Sequence, residues 1–242
     1  MHITAIIPAR YASTRLPIKP LVNIAGKTLI NRVYDAVINT NLFHKVIVAT
    51  DHQEIFDHVK SFSGEVMMTS ENHISGTDRI EECSQKINTD LIINVQGDEP
   101  FIQREPLEKL IKSFDDKNVN VASLMSIITD DKDIINPNIV KVVCDINTYA
   151  IYFSRSVIPF NRDSISDIVY YKHIGVYAFR PDLLKIYVSL PPGKLENIEK
   201  LEQLRLLENG YKIKMIETDY SGIGIDTIDD IKTAEKMIFD RE

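Results

Sequence analysis

Over the first hundred residues, apolar runs of strand length alternate with segments whose apolar positions recur at helical spacing. Residues 3–7 form an unbroken, largely β-branched run, the composition of a strand covered on both faces. The run breaks at Pro8 into a loop of small residues. Thr28 stands where an N-cap is expected, ahead of Leu29, Ile30, Val33, Ala36 and Val37 on one helical face. A second strand is predicted over 45–50, with Asp51 leading into a helix over about 53–62, and a third over 65–69. Ser75-Gly76-Thr77-Asp78-Arg79 opens a helix to about 87, and residues 91–95 make a fourth strand that ends at Gln96-Gly97-Asp98-Glu99-Pro100. Strand and helix alternating at this spacing indicate βαβ units.

The second half changes character. Residues 121–127, 139–145, 149–153 and 172–179 are strand-like with few helices between them, and 183–190 and 198–208 read as helices. In the latter, Ile198, Leu201 and Leu204 form a core stripe while Glu199, Glu202 and Gln203 share another face. A strand over 212–218 and a last helix over about 228–239, capped by Thr227, complete the chain. The expectation is one α/β domain over 1–242, with a mixed, mostly parallel central sheet, helices on both faces, and a strand-rich insertion at about 139–180.

Charge sharpens this picture. The chain carries a formal net charge of −7, yet Arg10, Arg15, Lys19, Lys27 and Arg32 all precede the first acidic residue, Asp35. A cationic loop on the end of the first strand of an acidic protein suits a small polyanion. The overall sign argues against non-specific nucleic-acid binding, which needs an extended basic surface. No apolar run has the length of a membrane span, and the N-terminus lacks a signal peptide's apolar region. Cys83 and Cys144 are far apart in apolar-periodic segments, which suits buried thiols in a reducing compartment, so a cytoplasmic location is expected.

The G-x-G-x-x-G and Walker A phosphate cradles are absent. Arg10 and Arg15 instead offer forked donors for phosphate oxygens, Lys19 a point charge, and the small Ala9, Ala12, Ser13 and Thr14 a close approach to backbone N–H groups. Isolated cations are usually solvated, but three in a proline-bounded loop at a strand end favour a site. Asp98, at the end of the fourth strand, suits Mg²⁺ beside a polyphosphate, although an Asp-Glu-Pro run taken alone reads more readily as a turn. Asp226, behind Gly222-Ile223-Gly224, is a second acidic candidate that could simply precede a helix. Arg155, His173, Tyr177 and Gln203 together would suit an acidic, hydroxyl-rich ligand such as a sugar acid, His173 and Tyr177 lying four apart on one strand.

Ile-Pro-Ala-Arg-Tyr-Ala-Ser-Thr-Arg-Leu-Pro, Ala-Thr-Asp, Ser-Gly-Thr-Asp-Arg, Asn-Val-Gln-Gly-Asp-Glu-Pro, Tyr-Phe-Ser-Arg, Lys-His-Ile-Gly-Val-Tyr and Leu-Glu-Gln-Leu-Arg occur in that order. Together they resemble the 3-deoxy-manno-octulosonate (KDO) cytidylyltransferases over nearly the whole chain. The resemblance implies a nucleotide-diphospho-sugar transferase-like, Rossmann-like fold and a homodimer built through the second-half strands. It also implies Mg²⁺-dependent transfer of CMP from CTP to KDO, for lipopolysaccharide biosynthesis. By the same resemblance Arg10, Arg15 and Lys19 hold the CTP phosphates, and Ser75 and Gly76 lie near the cytosine with the Pro8-Ala9 backbone. Asp98 and Asp226 bind magnesium. Arg79, Gln96, Arg155, His173, Tyr177, Glu202 and Gln203 line the sugar-acid pocket, and catalysis falls to Asp98, Arg10 and Lys19.

Four positions depart from the family pattern: Ile18 stands where Gly is common, Ile223 where Thr is, Ile228 where Pro is, and Asp78 where Glu is often seen. The competing readings are a cytidylyltransferase for another sugar acid (8-amino-KDO or a sialic acid) and a non-catalytic nucleotide-binding relative.

Overall fold

The apolar run at the N-terminus becomes strand β1 (Ile3–Ala9), buried at every position except Pro8, which is half-buried. A strand buried along its length must be covered on both faces. This computed structural model describes residues 1–12, 16–163, 165–166, 168–222 and 224–240. Arg15, with Ser13 and Thr14 of the opening loop, and Ile223 therefore lie outside the described residues.

From β1 the chain makes a 3-10 turn at Lys19–Leu21 and the short ribbon β2 (Asn23–Ile24) and β3 (Lys27–Thr28). Helix α1 (Leu29–Ile38) follows, and Thr28 caps it by accepting the Asn31 N–H. Such a cap contributes about 1 kcal/mol. Next come β4 (Lys45–Thr50), α2 (Gln53–Ser61), β5 (Glu65–Met68), α3 (Gly76–Ser84), β6 (Leu91–Asn94) and α4 (Arg104–Lys112). The second half contributes β7 (Val121–Ile127), α5 (Asp131–Ile135), β8 (Lys141–Cys144), β9 (Ala150–Ser154), β10 (Tyr171–Phe179), α6 (Pro181–Ser189), α7 (Lys194–Glu199), α8 (Leu204–Glu208) and β11 (Lys214–Glu217). The last helix is α9 (Ile228–Phe239). The α/β class with mixed strand directions is therefore present.

Two compact units form, Met1–Leu107 with Gly222–Glu242, and Glu108–Ser221. In the first, β1 pairs in parallel with β4 on one side and β6 on the other, and β5 continues in parallel beyond β4. The chain leaves β1 in one direction, through β4 and β5, and returns to its other side through β6. That reversal creates a crevice at the carboxyl ends of β1 and β6, the place where open parallel sheets take ligands. Ala5, Ile6, Ile7, Val48, Ala49, Ile92 and Ile93 make this unit's fully buried centre. In the second unit β7 pairs in parallel with β11 and antiparallel with β10, while β8 pairs antiparallel with β10 and β9.

Three expectations need correction. The helix expected over 198–208 is two helices, α7 and α8, because Lys200 adopts a left-handed conformation (φ 55°, ψ 48°) that ends α7. Glu199, Glu202 and Gln203 consequently do not share one helical face, and Ile198 is 77% exposed instead of part of a core stripe. Helix α4 was not anticipated: Pro106 reads as a breaker, yet it lies in the first turn, where its missing N–H leaves no bond unmade. Finally, Cys83 is buried but Cys144 only half-buried; both are free. Other element ends shift by a few residues.

Candidate active site

The crevice of the first unit is built by close backbone approach. A Cβ on Gly97 would lie 2.7 Å from the Pro8 carbonyl oxygen, and one on Gly76 3.3 Å from Pro8 Cγ. Glycine at both positions lets the chain ends after β6 and before α3 press against the end of β1. Asp98 follows Gly97, and its carbonyl accepts the Ile225 N–H at 3.0 Å, tying its loop to the one before α9. Asp226 is fixed from the other side: its N–H donates to Asp230, the residue that closes a capping box with Thr227 at the start of α9.

Lys19 joins the two carboxylates. Its Nζ lies 2.6 Å from Asp98 Oδ2 and 2.7 Å from Asp226 Oδ1, and its side chain is 16% exposed. One cation held between two acidic groups shows that these carboxylates converge on a single positively charged point. Arg10, at the exit of β1, is exposed and makes no hydrogen bond or ion pair among the described residues. Gln96 is half-buried at the head of the turn, its carbonyl accepting the Glu99 N–H at 3.2 Å. Ser75 caps α3 through a reciprocal bond pair with Asp78, so the shorter Asp still completes a capping box. Ile18 sits at φ 51°, ψ 39°. That left-handed conformation is strained for a β-branched side chain and natural for glycine, which accounts for glycine being common there in the family the sequence resembles.

Arg79 does not face an open site. It is 2% exposed, with Nη2 2.7 Å from Asp51 Oδ2 and Nη1 bonded to Thr69 Oγ1. Asp51 in turn accepts the Tyr11 N–H at 3.0 Å, and the Tyr11 ring stacks on His52 at 3.6 Å. Arg79 and Asp51 thus anchor the residues after Arg10 to the ends of β4 and β5. In the sequence Asp51 reads as the entry to a helix and as part of Ala-Thr-Asp; a carboxylate directly after a buried strand is the signal for its role here.

The second unit holds a different group. His173 and Tyr177 come together on β10, with ring centroids 5.4 Å apart. Phe153 meets His173 edge-on at 5.1 Å, and Tyr177, Phe179 and Tyr187 continue the row of rings. Burial pushes the His173 pKa down to about 3, so the ring is neutral. Burial, and then the Glu202 charge, raise the Tyr177 phenol well above its ordinary range. Gln203 is 6% exposed, and its Nε2 has no hydrogen-bond partner among the described residues. A buried unsatisfied amide costs about 1–3 kcal/mol, which a bound acceptor would recover.

Arg155 is not joined to this group. Its Nε and Nη1 donate to the Glu199 and Pro137 carbonyls at 2.8 and 3.0 Å, and its N–H to Glu199 Oε2 at 3.0 Å. Beside it the fully buried Lys141 donates to the carbonyls of Asn136, Ile139 and Arg155 at 2.9, 2.6 and 2.7 Å. Burial first, and then Arg155, lower the Lys141 pKa. This anchor is not legible in the sequence, because a single Lys at a strand looks like a surface residue.

Residues 4–214 match the cytidylyltransferase family model. The chain is 49% identical to a 3-deoxy-manno-octulosonate cytidylyltransferase from Flavobacterium johnsoniae, over 99% of this chain and 100% of that protein. It is equally 49% identical to the enzyme of that name from Fusobacterium nucleatum, over 96% and 95% of the two chains. A solved CMP:2-keto-3-deoxy-manno-octonic acid synthetase complexed with CTP superposes with a TM-score of 0.95 at 39% identity, covering 100% of both chains. A 4-diphosphocytidyl-2C-methyl-D-erythritol synthase from Anaerococcus prevotii, 17% identical with a TM-score of 0.66 over 98% of each chain, shares the fold. With its charged crevice at the ends of β1 and β6, this chain belongs to the cytidylyltransferase family, among the 3-deoxy-manno-octulosonate cytidylyltransferases.

Proposed function

We propose that this protein transfers CMP from CTP to KDO, giving CMP-KDO and pyrophosphate for lipopolysaccharide biosynthesis. The observation that carries the reading is the meeting of Asp98 and Asp226 on Lys19 at 2.6 and 2.7 Å, in the unit whose first strand ends at the exposed Arg10. Pro8, Ala9, Ser75 and Gly76 are read as the nucleotide contacts, because Gly76 packs on Pro8. Arg15 is kept in the phosphate role on the resemblance alone.

The donor set fits magnesium. Among the described residues no group of three or more His, Cys, Asp or Glu could hold a metal. Two carboxylates completed by substrate phosphate oxygens are what Mg²⁺ commonly takes, and Lys19 already supports a positive charge between them. When bound, Mg²⁺ supplies charge neutralisation at the α-phosphate and makes the attacking hydroxyl more acidic. The chain's own residues then position and stabilise. Lys19 and Arg10 take up negative charge on the leaving pyrophosphate as the anomeric hydroxyl of KDO attacks the α-phosphorus in line. Asp51 and Arg79 hold the backbone just after Arg10. We read His173, Tyr177, Glu202 and Gln203 as sugar-acid contacts, since a neutral ring and an unsatisfied amide suit hydroxyl groups. Gln96 keeps its assigned role beside Asp98. The Arg79 and Arg155 guanidinium groups are bonded within the protein, so each is read as holding local structure in its own unit, Arg79 at Asp51 and Arg155 at Glu199.

A homodimer is proposed on separate grounds. Ile146, Ile151, Phe160, Ile165 and Val169 are 99, 61, 84, 62 and 48% exposed, an apolar series within the strand-rich second half. Sedimentation should give twice the chain mass, and Ile146→Lys with Phe160→Lys the single mass. A cytoplasmic setting is proposed from the two free thiols; among the described residues no helix is long and apolar enough to cross a membrane.

The direct test of function is pyrophosphate release from CTP and Mg²⁺ with KDO, 8-amino-KDO and a sialic acid offered separately. KDO should be used fastest. Preference for either other acid would reassign the substrate, and folded protein silent with all three would favour a non-catalytic nucleotide-binding role.

A further inference from the structure

Ser123 is fully buried in β7. His173 Nε2 lies 2.9 Å from its hydroxyl, the Val176 carbonyl 2.9 Å and the Ile174 carbonyl 3.2 Å, and the Tyr177 phenol bonds it as well. Both carbonyls flank an irregularity in β10. Ile174 pairs with Leu124, but the next matched pair is Tyr177 with Ser123, so Gly175 and Val176 have no partner across the ladder. A bulge of this kind distorts the strand locally, and His173 and Tyr177, on either side of it, have ring centroids 5.4 Å apart.

A serine hydroxyl has one proton and two lone pairs, whereas a carbonyl oxygen can only accept. If Ser123 gave its proton to His173, neither bulge carbonyl would receive one from it. The contacts at 2.9 and 3.2 Å are hydrogen bonds only with the serine proton on one carbonyl or the other, and that proton cannot also reach His173. The serine proton is therefore directed to the bulge, and the contact with Nε2 must be one in which the imidazole donates. Tyr177, which also bonds Ser123, carries its own phenolic proton. No carboxylate is bonded to His173 among the described residues, so nothing holds a second proton on the ring.

We infer that Ser123 is a positioning residue that locks His173 as its Nε2–H tautomer, leaving Nδ1 as a lone-pair acceptor for a hydroxyl of the sugar acid. The second half of this statement rests on the proposed function; the first half does not. The lock explains why a hydroxyl is useful at position 123, between the apolar Ala122 and Leu124. A histidine free to exchange tautomers would present an acceptor only part of the time.

The test is nuclear magnetic resonance of the full chain labelled with ¹⁵N-histidine, at neutral pH and without substrate. His173 is identified among the six histidines by the signals lost in His173→Gln. Nε2 should resonate as a protonated, pyrrole-like nitrogen and Nδ1 as an unprotonated, pyridine-like one. Adding KDO, with CTP present and magnesium chelated, should move the Nδ1 signal upfield and leave Nε2 in place. Ser123→Ala should average the two nitrogens and raise the KM for the sugar acid roughly two- to tenfold, the value of one hydrogen bond. The KM for CTP should be unchanged, and Ser123→Thr should restore the tautomer. A proton on Nδ1 in the wild-type protein would overturn the inference, as would an unchanged tautomer in Ser123→Ala. An Nδ1 signal unmoved by saturating KDO in an enzyme that turns KDO over would overturn the acceptor role. Failure of every sugar acid to release pyrophosphate would strike the proposed function instead, while the substrate-free spectrum would still support the lock.

Discussion

The charged crevice of the first unit and the aromatic group of the second solve opposite problems. In the crevice, Lys19, Asp98 and Asp226 are formally charged, partly exposed and held on loops. His173 and Tyr177 are both neutral, and they stand on a strand whose neighbour β7 supplies the Ser123 hydroxyl to the His173 ring. A triphosphate needs countercharge that can be handed over, which requires loops and water. A hydroxyl-rich acid needs donors and acceptors of fixed identity, which requires a dry, rigid frame.

The contrast breaks most sharply at the carboxylates. Asp98→Asn or Asp226→Asn should lower kcat for pyrophosphate release by about 10²–10³, the loss typical of a preorganised charge-stabilising group. Thermal midpoints should stay close to wild type, because both side chains are partly exposed. Loss of activity together with loss of fold would mean that the crevice is structural.

Next in size is Gly97→Ala. A Cβ there would meet the Pro8 carbonyl at 2.7 Å, a backbone atom that cannot step aside. The variant should lose about 1–3 kcal/mol in denaturant unfolding, and a wild-type midpoint would show that the two strand ends are less closely pressed.

The neutral side has a pH signature. Burial pushes the His173 pKa down to about 3 in the folded protein, against 6.5 for a free imidazole. Above 6.5 neither state is protonated there and the burial of His173 carries no protonation penalty. As pH falls from 6.5 toward 3 the unfolded chain takes a proton that the folded one refuses, so stability declines. The slope due to this residue approaches about 1.4 kcal/mol per pH unit. His173→Gln should flatten the decline by that amount in urea titrations at successive pH values; an identical slope would mean that the ring is protonated in the folded protein.

The smallest effect belongs to Ile18. Ile18→Gly relieves a left-handed β-branched residue worth about 1–2 kcal/mol but loosens the unfolded chain. The net gain should be at most about 1 kcal/mol, or 2–4 °C in Tm, and a fall in Tm would show that the Ile18 side chain contributes packing.

The sequence disclosed the crevice better than the aromatic group, for physical reasons. Strand ends are marked by Pro8, Gly97 and Pro100, and charges there stand out from their surroundings, so Arg10, Lys19, Asp98 and Asp226 were legible. Thr28 and Thr227 likewise announced their helices. The bonding of Arg79 to Asp51 and of Arg155 to backbone was not legible, because an arginine in a sequence looks alike whether it faces a ligand or the protein's own groups. The break at Lys200 was hidden, since a lysine carries no sign of a positive φ. Ser123 was invisible: its importance comes from a bulge in β10, which depends on pairing that no local pattern encodes.

The central claim, that Asp98 and Asp226 hold the metal of a metal–triphosphate complex beside Lys19, is tested most directly by titrating magnesium into pyrophosphate release at saturating CTP and KDO. Half-maximal rate in Asp226→Asn should require at least about tenfold more magnesium than in wild type, the loss of one charge-assisted contact. The same magnesium dependence in both proteins would contradict the account.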